Sequence, residues 1–215
     1  MTERHQMGEQ RIDAWLEALA SNAPTPGGGA FAALAAAAGA SLIAMTARLT
    51  IGKERYAEAE ARMQEVAAEA DEARGDLMEL GDRDAVAFDG VMAAYRMARE
   101  TEDEKTQRLH ALQTALERAA EVPLMVARRA VYLMGLAEDA VTLGNPNAAS
   151  DAMSGAAALY AATLAALANV KINAFAFVDQ TKRGELMDDC GRLADRAEGV
   201  LRDVSEAFEA RVRGD

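Results

Sequence analysis

The chain has 215 residues, 51% of them hydrophobic but only 5% aromatic, so a substantial core must be built from Ala, Leu, Val and Met, which suits close-packed helices better than a β-sandwich. With 35 acidic against 23 basic residues the net charge is −12, which speaks against a nucleic-acid-binding surface. The single cysteine, Cys190, excludes an intramolecular disulfide framework and is compatible with a reducing cytosol.

The polar start, which includes His5, has no apolar signal core, so a cytoplasmic location is expected. A first helix is predicted over about 9–20, with Ile12, Leu16 and Leu19 on one face and Trp15 beside them. The turn from Ser21 to Pro26 ends it. Gly27, Gly28 and Gly29 follow, permitting backbone shapes closed to other residues and close approach by a partner. An uncharged, Ala-rich helix is expected over roughly 30–50.

From Met63 the apolar positions Val66, Ala70, Ala73, Leu77 and Leu80 step by 3 and 4, a seam of coiled-coil type. Gly81-Asp82 suggests a kink or break before a further helix over 84–99. The charged stretch 100–105 reads as a connection. Helix signal resumes at Leu109, is kinked or divided at Pro123, and ends at Gly144. Asn145-Pro146-Asn147 then suits the start of a second uncharged, Ala-rich helix, running past Asn173 to about 179. The final helix, over about 185–212, carries a seam through Leu186, Cys190, Leu193, Ala197, Val200, Val204 and Phe208.

The whole reads as one all-α domain, residues 1–215, a bundle of long antiparallel helices around two central Ala-rich helices. Those two helices approach membrane-span length, but their small side chains and the charged faces of the others favour burial inside the bundle. An oligomer interface is another way to cover them. No membrane and no nucleic-acid partner are expected.

The pattern disfavours several chemistries. His5 and His110 lie in charged contexts far from the polar loops, so no metal site is expected. The glycine run is neither GxGxxG nor GxxxxGK, and no strand precedes it. Cys190 reads as a buried small residue. What remains is polar groups at helix ends, where free N–H groups and a partial positive charge can hold an anion or a carbonyl. The expectation is that the N-terminal ends of the two Ala-rich helices build one site. Asn145, Asn147, Ser150 and Asp151 sit at one such end, although ordinary capping explains the Asn and Ser residues. Asn169 and Asn173 share a face at i, i+4. Asp84 at a helix start, Lys53 after a Gly-terminated helix and Tyr56 as packing each have an equally plain structural reading.

The same residues carry a resemblance. Pro24-Thr25-Pro26-Gly27-Gly28-Gly29, Thr50-Ile51-Gly52-Lys53 with Tyr56, Asp84 with Ala87-Phe88 and Val91-Met92, Val122-Pro123-Leu124, Gly144-Asn145-Pro146-Asn147 with Ser150-Asp151-Ala152, and Asn169-Val170 with Ile172-Asn173 occur in that order. Together they resemble the folate cyclodeaminase/cyclohydrolase family, which comprises the C-terminal domain of formiminotransferase-cyclodeaminase and stand-alone methenyltetrahydrofolate cyclohydrolases. One departure is Arg96-Met97-Ala98-Arg99, where the family often has a proline and a lysine.

The resemblance implies an all-α homodimer or higher oligomer, with a folate site near the subunit interface and no cofactor beyond the tetrahydrofolate substrate. In the cyclohydrolase reaction, water adds to the amidinium carbon of 5,10-methenyltetrahydrofolate, and the C–N5 bond breaks to give 10-formyltetrahydrofolate. That needs a base for water and an acid for the leaving nitrogen. On this reading Asp84 and Asp151 are the acid/base carboxylates, and Lys53 positions water or meets the folate tail. Thr25, Gly27, Gly28 and Gly29 form a backbone cradle. Tyr56, Asn145, Asn147, Ser150, Asn169 and Asn173 bind substrate, and Lys171, Lys182 or Arg183 could supply a local basic patch. The alternative is a cyclodeaminase releasing ammonia from 5-formiminotetrahydrofolate. The lack of an attached transferase domain mildly favours the cyclohydrolase. A third reading is a non-enzymatic helical interaction protein. The two ends of the first Ala-rich helix lie about 30 Å apart at ~1.5 Å per residue, so a site using both ends calls for a long folate or a second subunit, and the second subunit is the expectation.

Overall fold

The computed structural model describes residues 6–213; His5 lies outside the described residues. Among them the regular structure is entirely helical: α1 (Ile12–Leu19), α2 (Gly28–Arg48), α3 (Glu60–Tyr95), α4 (Glu102–Leu143), α5 (Ala149–Phe175) and α6 (Gln180–Arg213), with short 3-10 turns at Met7–Glu9, Glu54–Ala59 and Pro146–Ala148.

The two Ala-rich helices, α2 and α5, pack against each other, with α3 and α4 also on α2, and α4 and α6 also on α5. Alanine is the best helix former and carries no side-chain entropy cost, so both helices form readily. Their backbones meet at Gly39 and Gly155: a Cβ on Gly39 would lie 2.8 Å from the Gly155 carbonyl oxygen. The pair is antiparallel. Gly28 at the start of α2 lies against Asn169 late in α5, while Thr46 near the end of α2 donates 3.2 Å to the carbonyl of Ala148 at the start of α5. By length and composition α2 and the stretch Pro146–Phe175 could each cross a membrane. Burial of Ala32, Ala36, Ala40, Ile43, Leu159, Ala162 and Ala166 shows how core helices pass the same test.

The seam on α3 is buried throughout, from Met63 to Leu80. The expected break at Gly81 does not occur; α3 is continuous to Tyr95. Glycine serves there as a notch, since a Cβ would lie 2.5 Å from the Met7 side chain. The 100–105 stretch is not simply a connection. Thr101 and Glu104 form a capping box, and Glu102, Asp103 and Glu104 occupy the first turn of α4, where acidic side chains favour the helix dipole. Helix α6 begins earlier than expected because Asp179 Oδ1 accepts from the Thr181 and Lys182 N–H groups. Helix α5 stops at Phe175, where Gln113 bonds both Ala176 and Val178 in the turn. On α1 the buried residue is Trp15, packed with Met7 and Ala30; Ile12 and Leu16, expected inside, are exposed.

Helix α4 runs unbroken through the buried Pro123. A mid-helix proline lacks an N–H and strands the carbonyl four residues earlier, at a cost of about 3 kcal/mol. That carbonyl belongs to Ala119, and it accepts instead from Asn173 Nδ2 of α5 at 2.9 Å. The bond recovers roughly 1 kcal/mol.

One face remains uncovered. Phe31, Ala38 and Met45 recur every seven residues along α2 and are exposed, as are Ala161, Leu164, Ala168 and Ile172 along α5. No charged residue occurs between Gly28 and Ala47 or between Ala152 and Val170.

Candidate functional site

The candidate residues gather in two clusters, one at each end of α2. At its N-terminus, Gly27 is the extended residue preceding the helix, after a cis Thr25–Pro26 peptide bond. Thr25 and Pro26 line a cavity of about 110 Å³ with Met7, Trp15 and Ala30. Gly29 is buried against α3, and a Cβ there would collide with the Asp84 carboxylate. Gly28 is exposed, and a Cβ there would lie 2.9 Å from Asn169 Nδ2. Glycine at these two positions therefore lets a carboxylate and an amide from neighbouring helices reach the first turn of α2.

Asp84 accepts a hydrogen bond from the Ala30 N–H. It thus caps α2 from another helix, where free N–H groups favour negative charge. Burial nevertheless dominates and pushes the Asp84 carboxyl up from its ordinary value, with the Ala30 N–H acting in the opposite direction. Capping alone would need no such shift; a half-buried carboxyl that holds its proton more tightly than an exposed one is suited to proton transfer.

Asn169 Nδ2 donates to the Ala165 carbonyl at 2.9 Å, leaving Oδ1 at the glycine turn. Asn173 is differently employed. Its Nδ2 donates to Ala119 and, at 3.0 Å, to Asn169, so both amide protons serve structure and only Oδ1 remains for a ligand. Asn173→Leu should therefore destabilise the fold by about 1–3 kcal/mol, the cost of a buried carbonyl left unpaired, read as a lower urea midpoint with an unchanged slope.

The second cluster lies at the far end of α2 and is organised by Asn145. Its N–H donates to Thr50 Oγ1 at 2.8 Å and its Nδ2 to the Leu49 carbonyl. Its Oδ1 accepts from Tyr56 OH at 3.2 Å and from the Asn147 N–H at 3.1 Å. Asn145 is buried and both polar atoms of its side chain have protein partners, so it shapes the loop. Lys53, Asn147 and Ser150 are exposed around this hub, and Asp151 is half-buried in the first turn of α5. Sequence reasoning did not single out Thr46 or Thr50, the buried hydroxyls that tie α2 to this loop. Thr50 stood within a quoted motif; Thr46 had no signal beyond being polar in an apolar run. Arg211, which donates 2.7 Å to the Gly144 carbonyl, was also missed.

Because α2 and α5 are antiparallel, their N-terminal ends do not meet within one chain, contrary to expectation. The 21-residue α2 keeps Asp84 and Asp151 about 30 Å apart. Two grooves of about 540 and 570 Å³ lie elsewhere, between α3 and α4, and share Arg83. No candidate residue lines either. Burial raises the Cys190 thiol, in keeping with its reading as an inert core residue.

The same layout recurs in known proteins. The sequence pattern of the formiminotransferase-cyclodeaminase family matches residues 11–192. The chain is 36% identical over 205 residues to the methenyltetrahydrofolate cyclohydrolase of Methylorubrum extorquens, covering 95% of this chain and 99% of that protein. It is 31% identical to the formimidoyltransferase-cyclodeaminase of Gallus gallus over 86% of this chain, which spans only 34% of that protein's length. The crystal structure of formiminotetrahydrofolate cyclodeaminase from Thermotoga maritima superposes with a TM-score of 0.85 at 31% identity, covering 95% of this chain and 98% of that one. The matched residues contain both polar clusters and the helices that separate them, and the chain belongs to the formiminotransferase-cyclodeaminase family.

Proposed function

We propose that the protein is a methenyltetrahydrofolate cyclohydrolase, acting as a cytoplasmic, single-domain homodimer with no metal or cofactor beyond its folate substrate. The observation that carries this is the Asp84 carboxyl, raised by burial and held against the glycine turn of α2. Asp84 takes a proton from the water that adds to the amidinium carbon. It returns that proton to N5 as the C–N5 bond breaks, and the hydroxyl of the adduct releases its own proton as the formyl C=O forms. The substrate cation becomes a neutral formamide, so one proton is released to solvent overall. A carboxyl with a pKa closer to the working pH exchanges protons in both directions more readily than an ordinary one.

The uncharged stripes on α2 and α5 support a two-fold dimer through that face. A perpendicular two-fold axis lays the start of one α2 beside the end of the other. Asp84, Asn169 and the glycine turn of one subunit then share a site with Lys53, Tyr56, Asn147, Ser150 and Asp151 of its partner. Lys53 offers a cation to the anionic folate tail in an otherwise acidic protein, and Asp151 places negative charge near the substrate cation.

Cyclodeaminase chemistry is the second reading, favoured by the likeness to the Thermotoga maritima structure. There N10 attacks the formimino carbon and ammonia leaves, so no water nucleophile is required. Offering the purified protein each folate separately decides between them. Faster loss of methenyl absorbance than the spontaneous rate supports the first reading, and ammonia release from the formimino substrate the second. If a folded preparation does neither, both enzymatic readings fail in favour of a helical interaction protein, for which Asp84→Asn and Asp151→Asn leave every measurable activity unchanged.

A further inference from the structure

The Asn145–Asn147 loop is anchored from outside the site. The peptide group joining Gly144 to Asn145 is held at both of its polar atoms by side chains from distant elements. Its carbonyl accepts from Arg211 Nη2 of α6 at 2.7 Å, and its N–H donates to Thr50 Oγ1 at 2.8 Å. Thr50 in turn donates to the Thr46 carbonyl at 2.9 Å, so that side of the clamp is built into the end of α2. Gly144 is packed tightly there: a Cβ would collide with the Ala140 carbonyl and lie 3.3 Å from Thr50 Oγ1. Rotation of this one peptide plane would carry the Asn145 side chain away from Tyr56, Leu49 and the Asn147 N–H, the three groups it connects.

We infer that Arg211 is a positioning residue of the candidate site, acting through the Gly144–Asn145 peptide on the loop that presents Asn147 and Ser150. Arg211 lies beyond the stretch matched by the family pattern, which ends at residue 192, and 67 residues from its acceptor. The bond is charge-assisted and sits at the C-terminus of α4, where a cation also meets the helix dipole. Arg211 Nε is buried without a protein hydrogen-bond partner. The burial of the guanidinium is therefore offset at the carbonyl and not at Nε, and a lysine reaching the same carbonyl would keep the useful contact while removing the unpaired donor.

This inference rests on the proposed folate chemistry for its kinetic consequence but not for its structural one, and the test separates the two. Arg211→Met and Arg211→Lys are compared with the wild-type protein by hydrogen–deuterium exchange and by steady-state kinetics with whichever folate the wild type turns over. In Arg211→Met, exchange over residues 144–150 should accelerate at least tenfold, while residues 28–48 keep wild-type protection. Turnover should fall about 10- to 100-fold, the penalty for reacting groups displaced by about an ångström, with kcat carrying most of the change. Arg211→Lys should restore slow exchange and bring kcat to within about threefold of wild type, by the same positioning argument. Unchanged exchange over 144–150 in Arg211→Met overturns the inference, as does a loop that loosens with no loss of kcat. If wild-type protein turns over neither folate, the functional reading fails, and the exchange comparison alone decides whether Arg211 holds the loop.

Discussion

Replacing Asp84 with Asn should lower turnover by about 10²- to 10⁴-fold, the usual contribution of a positioned acid or base, while raising the melting temperature at neutral pH. The two effects have one cause. Asn keeps an oxygen to accept from the Ala30 N–H but cannot ionise, so it escapes the burial penalty that raises the Asp84 carboxyl. The sign follows from linkage: a carboxyl whose folded pKa lies above its unfolded value binds its proton more tightly when folded. Its favourable contribution is full below the unfolded pKa and is lost as pH rises through the window up to the folded pKa. The variant should therefore gain most over wild type above that window and nothing below it. Thermal melts from acid to neutral pH, beside kcat, check both halves. A variant that loses activity and is also less stable at neutral pH would make Asp84 a structural cap. Retained turnover would remove it from the chemistry altogether.

Two inactive variants should restore each other. If each site takes Asp84 from one subunit and Lys53 from its partner, Asp84→Asn and Lys53→Met homodimers have no intact site. A mixed dimer has one intact and one doubly altered site. Random reassortment makes about half of all dimers mixed, so about a quarter of wild-type activity should return. Co-expression with two different affinity tags, followed by isolation of the doubly tagged species, gives the cleaner figure of about one half per dimer by the same count. No recovery from verified mixed dimers would confine the site to one chain, leaving the 30 Å between the clusters without a function. A companion variant, Ala38→Glu, places a charge on the exposed stripe of α2 and should shift the species in solution towards monomer with loss of activity.

Much of the architecture could be read from spacing. The α3 seam is a periodic burial signal, and every member of it from Met63 to Leu80 is inside. What spacing could not convey was context. Gly81 resembles a helix breaker in a list of residues, yet its lack of a side chain is used by Met7 from another segment. Thr101 and Glu104 have the spacing of a capping box, a start signal masked by the run of charge around them. The buried face of α1 differs from the one its spacing suggests because an amphipathic pattern says which residues are apolar and not what covers them; Trp15 occupies the interior and leaves Ile12 and Leu16 outside.

The candidate site divides in the same way. The motifs named residues that come together in space, since Asp84, Gly29, Gly28 and Asn169 converge, as do Tyr56, Asn145 and Asn147. They did not separate residues that present free groups from residues that hold the loop. Asn145, a cap by its position and a substrate contact by the resemblance, is the hub of its loop. That distinction depends on where each donor and acceptor is spent, which is a long-range property.

The bond between Asn173 and the carbonyl stranded by Pro123 sets an order on how this sequence can change. While Pro123 stands, losing Asn173 strands a buried oxygen; once an N–H-bearing residue replaces Pro123, the helix bonds that oxygen itself and Asn173 is released. Pro123→Ala should therefore rescue most of the stability lost in Asn173→Leu, giving strong non-additivity between positions 50 residues apart. A chain that loses the proline first can therefore lose the asparagine at little further cost in stability, whereas the reverse order passes through a strained intermediate.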